Sequence, residues 1–130
     1  MVELAVWYDQ DEDEDEIIIR TEDELNALID RVLEETKGHR CPAAIQLNIN
    51  GQDGFPILEV GLGHAQGFIR YYAEDAGSTK GDGSPDERAE YIYMSNLSVV
   101  PSDVEVDIQH VRQGLVEFLE TGKRPRVVED

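Results

Sequence analysis

The sequence predicts an α+β protein, with a mostly antiparallel sheet carrying two amphipathic helices packed on one face. Three observations lead there. Short runs alternate apolar and other residues with period two, most clearly Leu58, Val60 and Leu62 against Ile57, Glu59 and Gly61, as a strand with one buried face requires. Links between consecutive strands from residue 43 to residue 72 are hairpin-length, too short for parallel crossovers. Two segments, 22–36 and roughly 107–121, repeat apolar residues at helical spacing instead.

Residues 2–8 (VELAVWY) read as a first strand, too apolar for a fully exposed edge. Asp9, Asp11, Glu12, Asp13, Glu14, Asp15 and Glu16 follow, seven acids in eight positions. Such a run repels itself and has no apolar face, so a solvated loop is expected. Ile17, Ile18, Ile19 and Arg20 form a short strand pairing back on the first. Thr21 then opens a helix, its hydroxyl able to cap the backbone while Glu24 reaches back to complete a capping box. Leu25, Leu28, Ile29, Val32 and Leu33 fall on one face, and Gly38 suits the left-handed C′ position.

Residues 39–42 are a linker, and 43–49 (AAIQLNI) a strand. The turn at 50–54 leads into the hairpin 55–72, on which the rest of the sheet is built. Gly63 and Gly67 bracket its reversal, where positive φ is expected. Residues 73–88, rich in Gly, Ser, Asp and Pro, are expected to form a long exposed loop. Residues 90–94 (EYIYM) form a further strand. The last helix starts either at a Ser102/Glu105 capping box or at Asp107. Its apolar face is Ile108, Val111, Leu115, Phe118 and Leu119, and Gly114 suggests close packing on the sheet. Gly122 and Pro125 end it, and residues 126–128 are expected to add a short final strand.

At 130 residues the chain is expected to be one domain spanning 1–130. Its net charge of −18, from 29 acids and 11 bases, repels phosphate backbones and anionic headgroups, so neither direct nucleic-acid nor membrane binding is expected. Basic proteins or cations are the partners it would attract. Cys41 is the sole cysteine, which rules out an internal disulfide and fits a cytoplasmic setting. The first residues have neither a basic region nor a long apolar core, so no signal peptide is expected.

No metal or cofactor is expected. His39 and Cys41 make an H-x-C pair with no second paired element to complete a zinc set. The stretch 77–84 is glycine-rich, but its lysine precedes the second glycine and acids follow, so it is no phosphate loop. Asp11, Asp13 and Asp15 alternate as in a calcium loop, without the required glycine and final glutamate. Carboxylates are too abundant for any pair to stand out as general acid and base.

Val100-Pro101-Ser102-Asp103-Val104-Glu105-Val106-Asp107, followed by Val111, Glu117-Phe118-Leu119, Thr121-Gly122 and Arg124-Pro125, resembles the C-terminal signature of immunity protein family one of bacterial polymorphic toxin systems. The acidic start, the Thr21-Glu22-Asp23 helix opening with Leu28-Ile29-Asp30, the Leu58, Val60, Gly61 hairpin and the Gly-Ser loop before Glu90-Tyr91-Ile92-Tyr93-Met94 fall in the family's order. The chain departs from the pattern in two places. Residues 77–83 lack an aromatic often found there, and Ser95-Asn96 stands where Gly-His often follows the strand. Both lie in expected contact regions.

The resemblance implies a non-enzymatic cytoplasmic inhibitor of a cognate toxin, often a nucleic-acid deaminase. The expected partner is a basic toxin bound 1:1, its active cleft occluded by an acidic surface. The expected contacts are Asp9, Asp11–Glu16, Glu74, Asp75, Asp82, Asp86 and Glu87, with Tyr71 or Tyr72 as aromatic anchor if exposed. The alternative is a small hydrolase or transferase using His39, Cys41 or His64.

Overall fold

The computed structural model describes residues 2–8, 17–51, 57–73, 75–93 and 96–129. The acidic run 9–16 and Glu74 lie outside the described residues. Among those described, nine strands join in one sheet with two helices. In chain order they are β1 (Leu4–Trp7), β2 (Ile17–Ile19), α1 (Glu22–Glu35), β3 (Ala43–Ile49), β4 (Leu58–Leu62), β5 (Gln66–Tyr71), β6 (Gly77–Ser78), β7 (Arg88–Tyr93), β8 (Asn96–Pro101), β9 (Val106–Asp107) and α2 (Ile108–Thr121). The main path runs β2-β1-β3-β4-β5-β6, antiparallel throughout, and β9 pairs with β5.

Alternation decides which side each residue faces. Leu4 and Val6, Ile45 and Leu47, Leu58, Val60 and Leu62, then Ile69 and Tyr71 are buried on one side against Leu25, Leu28, Ile29 and Val32 of α1 and Val111, Leu115, Phe118 and Leu119 of α2. Thr21 caps α1 with the reciprocal capping box, and Arg112 ties the two helices by donating to Asn26 Oδ1 and Asp30 Oδ1, each at 2.9 Å. Asp107 caps α2 by accepting from Gln109 N, while Ser102–Val104 forms a 3-10 turn, so the helix start left open by sequence is Asp107. Gly122 ends α2 at φ 68°, a value that favours glycine. Gly114 lies under Ile69 and Val127, where a Cβ would come within 2.7 and 2.9 Å of their methyl carbons.

The other side is closed by the β7–β8 hairpin. At Ala43, β3 already pairs with Leu62 of β4 on one edge, and β1 has ended at Trp7 opposite Gln46. The vacated edge takes Ile92 of β7 in a short parallel contact, with Ile92 N donating to Pro42 O at 2.9 Å. Tyr91 then lies over Phe68, ring centroids 4.9 Å apart and planes at 80°, an edge-to-face contact. With Ala44, Val100 and Val104 they form a second, smaller core. Gly61 sits beneath both rings, where a Cβ would collide with Phe68 and Tyr91.

Several expectations need correction. Gly63 and Gly67 do not take positive φ. Their glycines answer to crowding instead, since a Cβ would strike the carbonyls of Gln66 and Gly61. The described residues of the segment 73–88 are mostly exposed, as expected, but they do not form an unstructured loop. They contribute β6, and Thr79, fully buried, receives a hydrogen bond from Ile69 N at 3.1 Å and donates to Val104 O at 2.5 Å. Residues 126–128 add no strand, only the bridge Ser78↔Glu129 beyond them. The strand β8 was not foreseen at all.

Candidate partner-binding face

Three surfaces converge around the β7–β8 hairpin. The first is the polar row left open on the sheet. Trp7, Gln46, Glu59 and Arg70 are register partners across β1, β3, β4 and β5, so neighbours stand about 5 Å apart. The Glu59 carboxylate, its side chain 15% exposed, sits 3.8 Å from Arg70 Nη1 and accepts from the Tyr72 hydroxyl at a long 3.5 Å. Tyr72 is 55% exposed, whereas Tyr71, one residue earlier, is 7% exposed and faces the helices. Burial and the charge of Glu59 raise the phenols of Tyr72 and Tyr93 above their ordinary value, with Arg70 partly opposing at Tyr72.

The second surface is an acidic ridge. The segment 79–87 lies alongside 102–107, through Gly81 N donating to Asp103 O at 2.7 Å, Ser102 N to Glu87 O at 2.8 Å, and Ser102 Oγ to Ser84 O at 2.9 Å. Gly81 and Gly83 pass so close to the carbonyls of Glu105 and Ser102 that no Cβ would fit. The glycines predicted to make a loose loop instead permit backbone-to-backbone packing. The apposition gathers Asp82, Asp86 and Glu87 with Asp103, Glu105 and Asp107. Of these, Asp82, Glu105 and Asp107 line a cleft of about 360 Å³ together with Lys80 and His110, among others. Tyr91 donates to Glu105 Oε2 at 2.6 Å, joining the ridge to the second core. Burial first, and then that hydrogen bond, hold the Tyr91 phenol far above its ordinary value.

The third surface is the outer side of β8, where Leu97 and Val99 are 57% and 40% exposed.

Of the sequence-predicted contacts, Asp82, Asp86 and Glu87 fall together on the ridge. Asp75 lies elsewhere, where its carbonyl accepts from Arg124 at 2.9 Å. The aromatic candidate that reaches solvent is Tyr72. Sequence reading missed Asp103, Glu105 and Asp107 because it missed β8, whose return along β7 lays 102–107 beside 79–87. It also missed Leu97 and Val99, although Leu-Ser-Val alternates at hairpin distance from Tyr93 and could have been read as a returning strand. His39 is exposed, Cys41 half-buried, and His64 Nε2 lies 2.7 Å from the Leu33 carbonyl. Among the described residues no three His, Cys, Asp or Glu side chains are grouped to hold a metal ion, and no helix is long and apolar enough to cross a membrane.

The open sheet carries two helices on one face and leaves a charged, partly aromatic second face. A family model described as immunity protein Imm1 matches residues 13–129. The chain belongs to this family, and is therefore an immunity protein of toxin systems with a cognate toxin as partner. Comparison with curated protein sequences finds no significant match.

Proposed function

We propose that this protein neutralises a nucleic-acid-acting toxin, of the deaminase type, by seating acidic segments in the toxin's basic cleft as a 1:1 cytoplasmic complex. It acts by occlusion and not by catalysis. A cleft that holds phosphates is basic, and an acidic inhibitor both complements it and competes with its substrate. The observation that carries this reading is the ridge. Two acidic segments flanking the β7–β8 hairpin are hydrogen-bonded side by side, although like charges repel. The acidic run of residues 9–16 supplies further negative charge.

Exposed carboxylates are screened within about 8 Å at physiological salt, so each contributes little to the final complex. Together they speed capture, toward ~10⁸–10⁹ per molar per second at low salt against ~10⁵–10⁶ for a neutral pair. The test is association kinetics with purified cognate toxin at low and physiological salt, alongside a deamination assay. Replacing the acids of 9–16 by Asn and Gln is expected to slow association and flatten its salt dependence, with dissociation little changed. Unchanged association with many-fold faster dissociation would make the run a buried contact instead. A toxin whose substrate turnover is unaffected by saturating protein would end the reading.

A further inference from the structure

We propose that the toxin adds a β-strand of its own to the open edge of β8, and that this strand is cationic with alternating apolar residues. The inference rests on the toxin-neutralising reading above and names how the partner docks. Among the described residues β8 pairs with β7 alone. Which of its backbone groups face outward follows from the ladder. Ser102 N donates to Glu87 O, which makes 87 and 102 a hydrogen-bonded pair. Antiparallel pairs alternate, so 89 with 100, 91 with 98 and 93 with 96 also bond inward. Ile92 agrees, since its N–H points away from β8 to Pro42. The N–H and C=O groups of Leu97 and Val99 therefore point away from β7, toward the open side.

The same two residues carry exposed apolar side chains. Sheet proteins usually blunt an open edge with a charge or a bulge, and here neither Leu97 nor Val99 does so. Pro101, which has no N–H, ends the available edge. Backbone pairing at such an edge supplies affinity, and alternate side chains supply selection. The edge is also preformed, because its hairpin is pinned by the Tyr91–Phe68 contact.

Charge selects the occupant. Exposed Glu90 stands opposite Val99 and Asp103 follows Pro101 in the chain, so carboxylates flank the edge, with exposed Arg88 opposite Pro101 offsetting them in part. A second copy of this chain would bring another −18 of charge to the same edge, whereas a basic strand is drawn to it.

The test compares the parental protein with Val99→Pro and Leu97→Lys, titrated with purified cognate toxin, together with amide hydrogen exchange of the parental complex. Proline at 99 removes an outward N–H and leaves the β7–β8 ladder intact, as edge positions tolerate. Both variants are expected to keep parental circular dichroism and to bind toxin about tenfold to a hundredfold more weakly. The Leu97 and Val99 amides are expected to become protected in the complex. Parental affinity in both variants, or unchanged exchange at both amides, overturns the strand addition while the neutralising reading stands. Should Val99→Pro unfold, Leu97→Lys and the exchange data decide alone. A toxin-free dimer of the parental protein that Val99→Pro dissolves would assign the edge to a second copy and overturn the choice of partner. A parental protein that neither binds nor inhibits the toxin overturns both readings.

Discussion

On the face beneath α1 and α2, side chains of β1, β3, β4 and β5 meet Leu28, Val32, Leu115 and Phe118 in a continuous apolar layer. On the opposite face, β7 and β8 close over only Ala44, Phe68, Tyr91, Val100 and Val104, and leave Gln46, Glu59 and Arg70 half-buried beside them. The first face shields backbone and side chains alike from water and buries many more apolar side chains than the second. The second is thin, aromatic and hydrogen-bonded, and it holds a hairpin at a set position while leaving an edge and a row of charges accessible. A face that must present groups to a partner cannot also bury them.

The largest expected effects test whether the thin face is nonetheless cooperative with the thick one. Leu115→Ala should cost about 2–5 kcal/mol and Phe68→Ala about 3–5 kcal/mol in urea unfolding, both side chains being fully buried. A Phe68 cost below about 1 kcal/mol would mean that the hairpin is a loose layer, and the comparison above would fail.

A smaller effect is expected at Tyr91. Tyr91→Phe keeps the ring over Phe68 but removes the hydroxyl that donates to Glu105, which should cost about 1.5–3 kcal/mol, as hydrogen bonds to charged groups do. Its phenol is raised in the fold by burial and then by that bond. The associated stability is thus complete below the unfolded value near 10 and is lost as pH rises from there toward the folded value. The parental urea midpoint should fall above about pH 10, and Tyr91→Phe should flatten that fall in part, because burial raises Tyr71, Tyr72 and Tyr93 as well. An unaltered alkaline slope would show that the Tyr91 phenol is not raised in the fold, whether by burial or by Glu105.

The glycines sharpen the contrast at the lower end. At Gly61 a Cβ meets two buried rings packed edge to face, so Gly61→Ala should destabilise by about 1–3 kcal/mol. At Gly114 the nearest atoms are the terminal methyls of Ile69 and Val127. These can give way, and alanine gains about 1 kcal/mol of helix propensity, so Gly114→Ala should change stability by under about 1 kcal/mol. Equal costs at the two sites would erase the difference in packing between the faces.

The sequence by itself determined what depends on near neighbours. The Thr21 capping box, the apolar stripes of α1 and α2, the alternation of Leu58, Val60 and Leu62 and the antiparallel order of β3, β4 and β5 follow from periodicity and short links, and the structure has them. The acidic character and the family resemblance were legible for the same reason, being properties of composition and of residues in order. Tertiary structure alone decided which of two adjacent tyrosines reaches solvent: Tyr71 ends β5 and is buried against the helices, while Tyr72, just past it, is exposed. It alone decided that β7 enters the sheet where β1 stops, which turns Leu97 and Val99 into an open edge. It also decided that residues 79–87 are a packed ridge and not a loose loop. The signal there is the buried Thr79, whose hydroxyl joins Ile69 to Val104. A polar side chain in a glycine-rich stretch reads as solvent-facing until the backbone groups it satisfies are known.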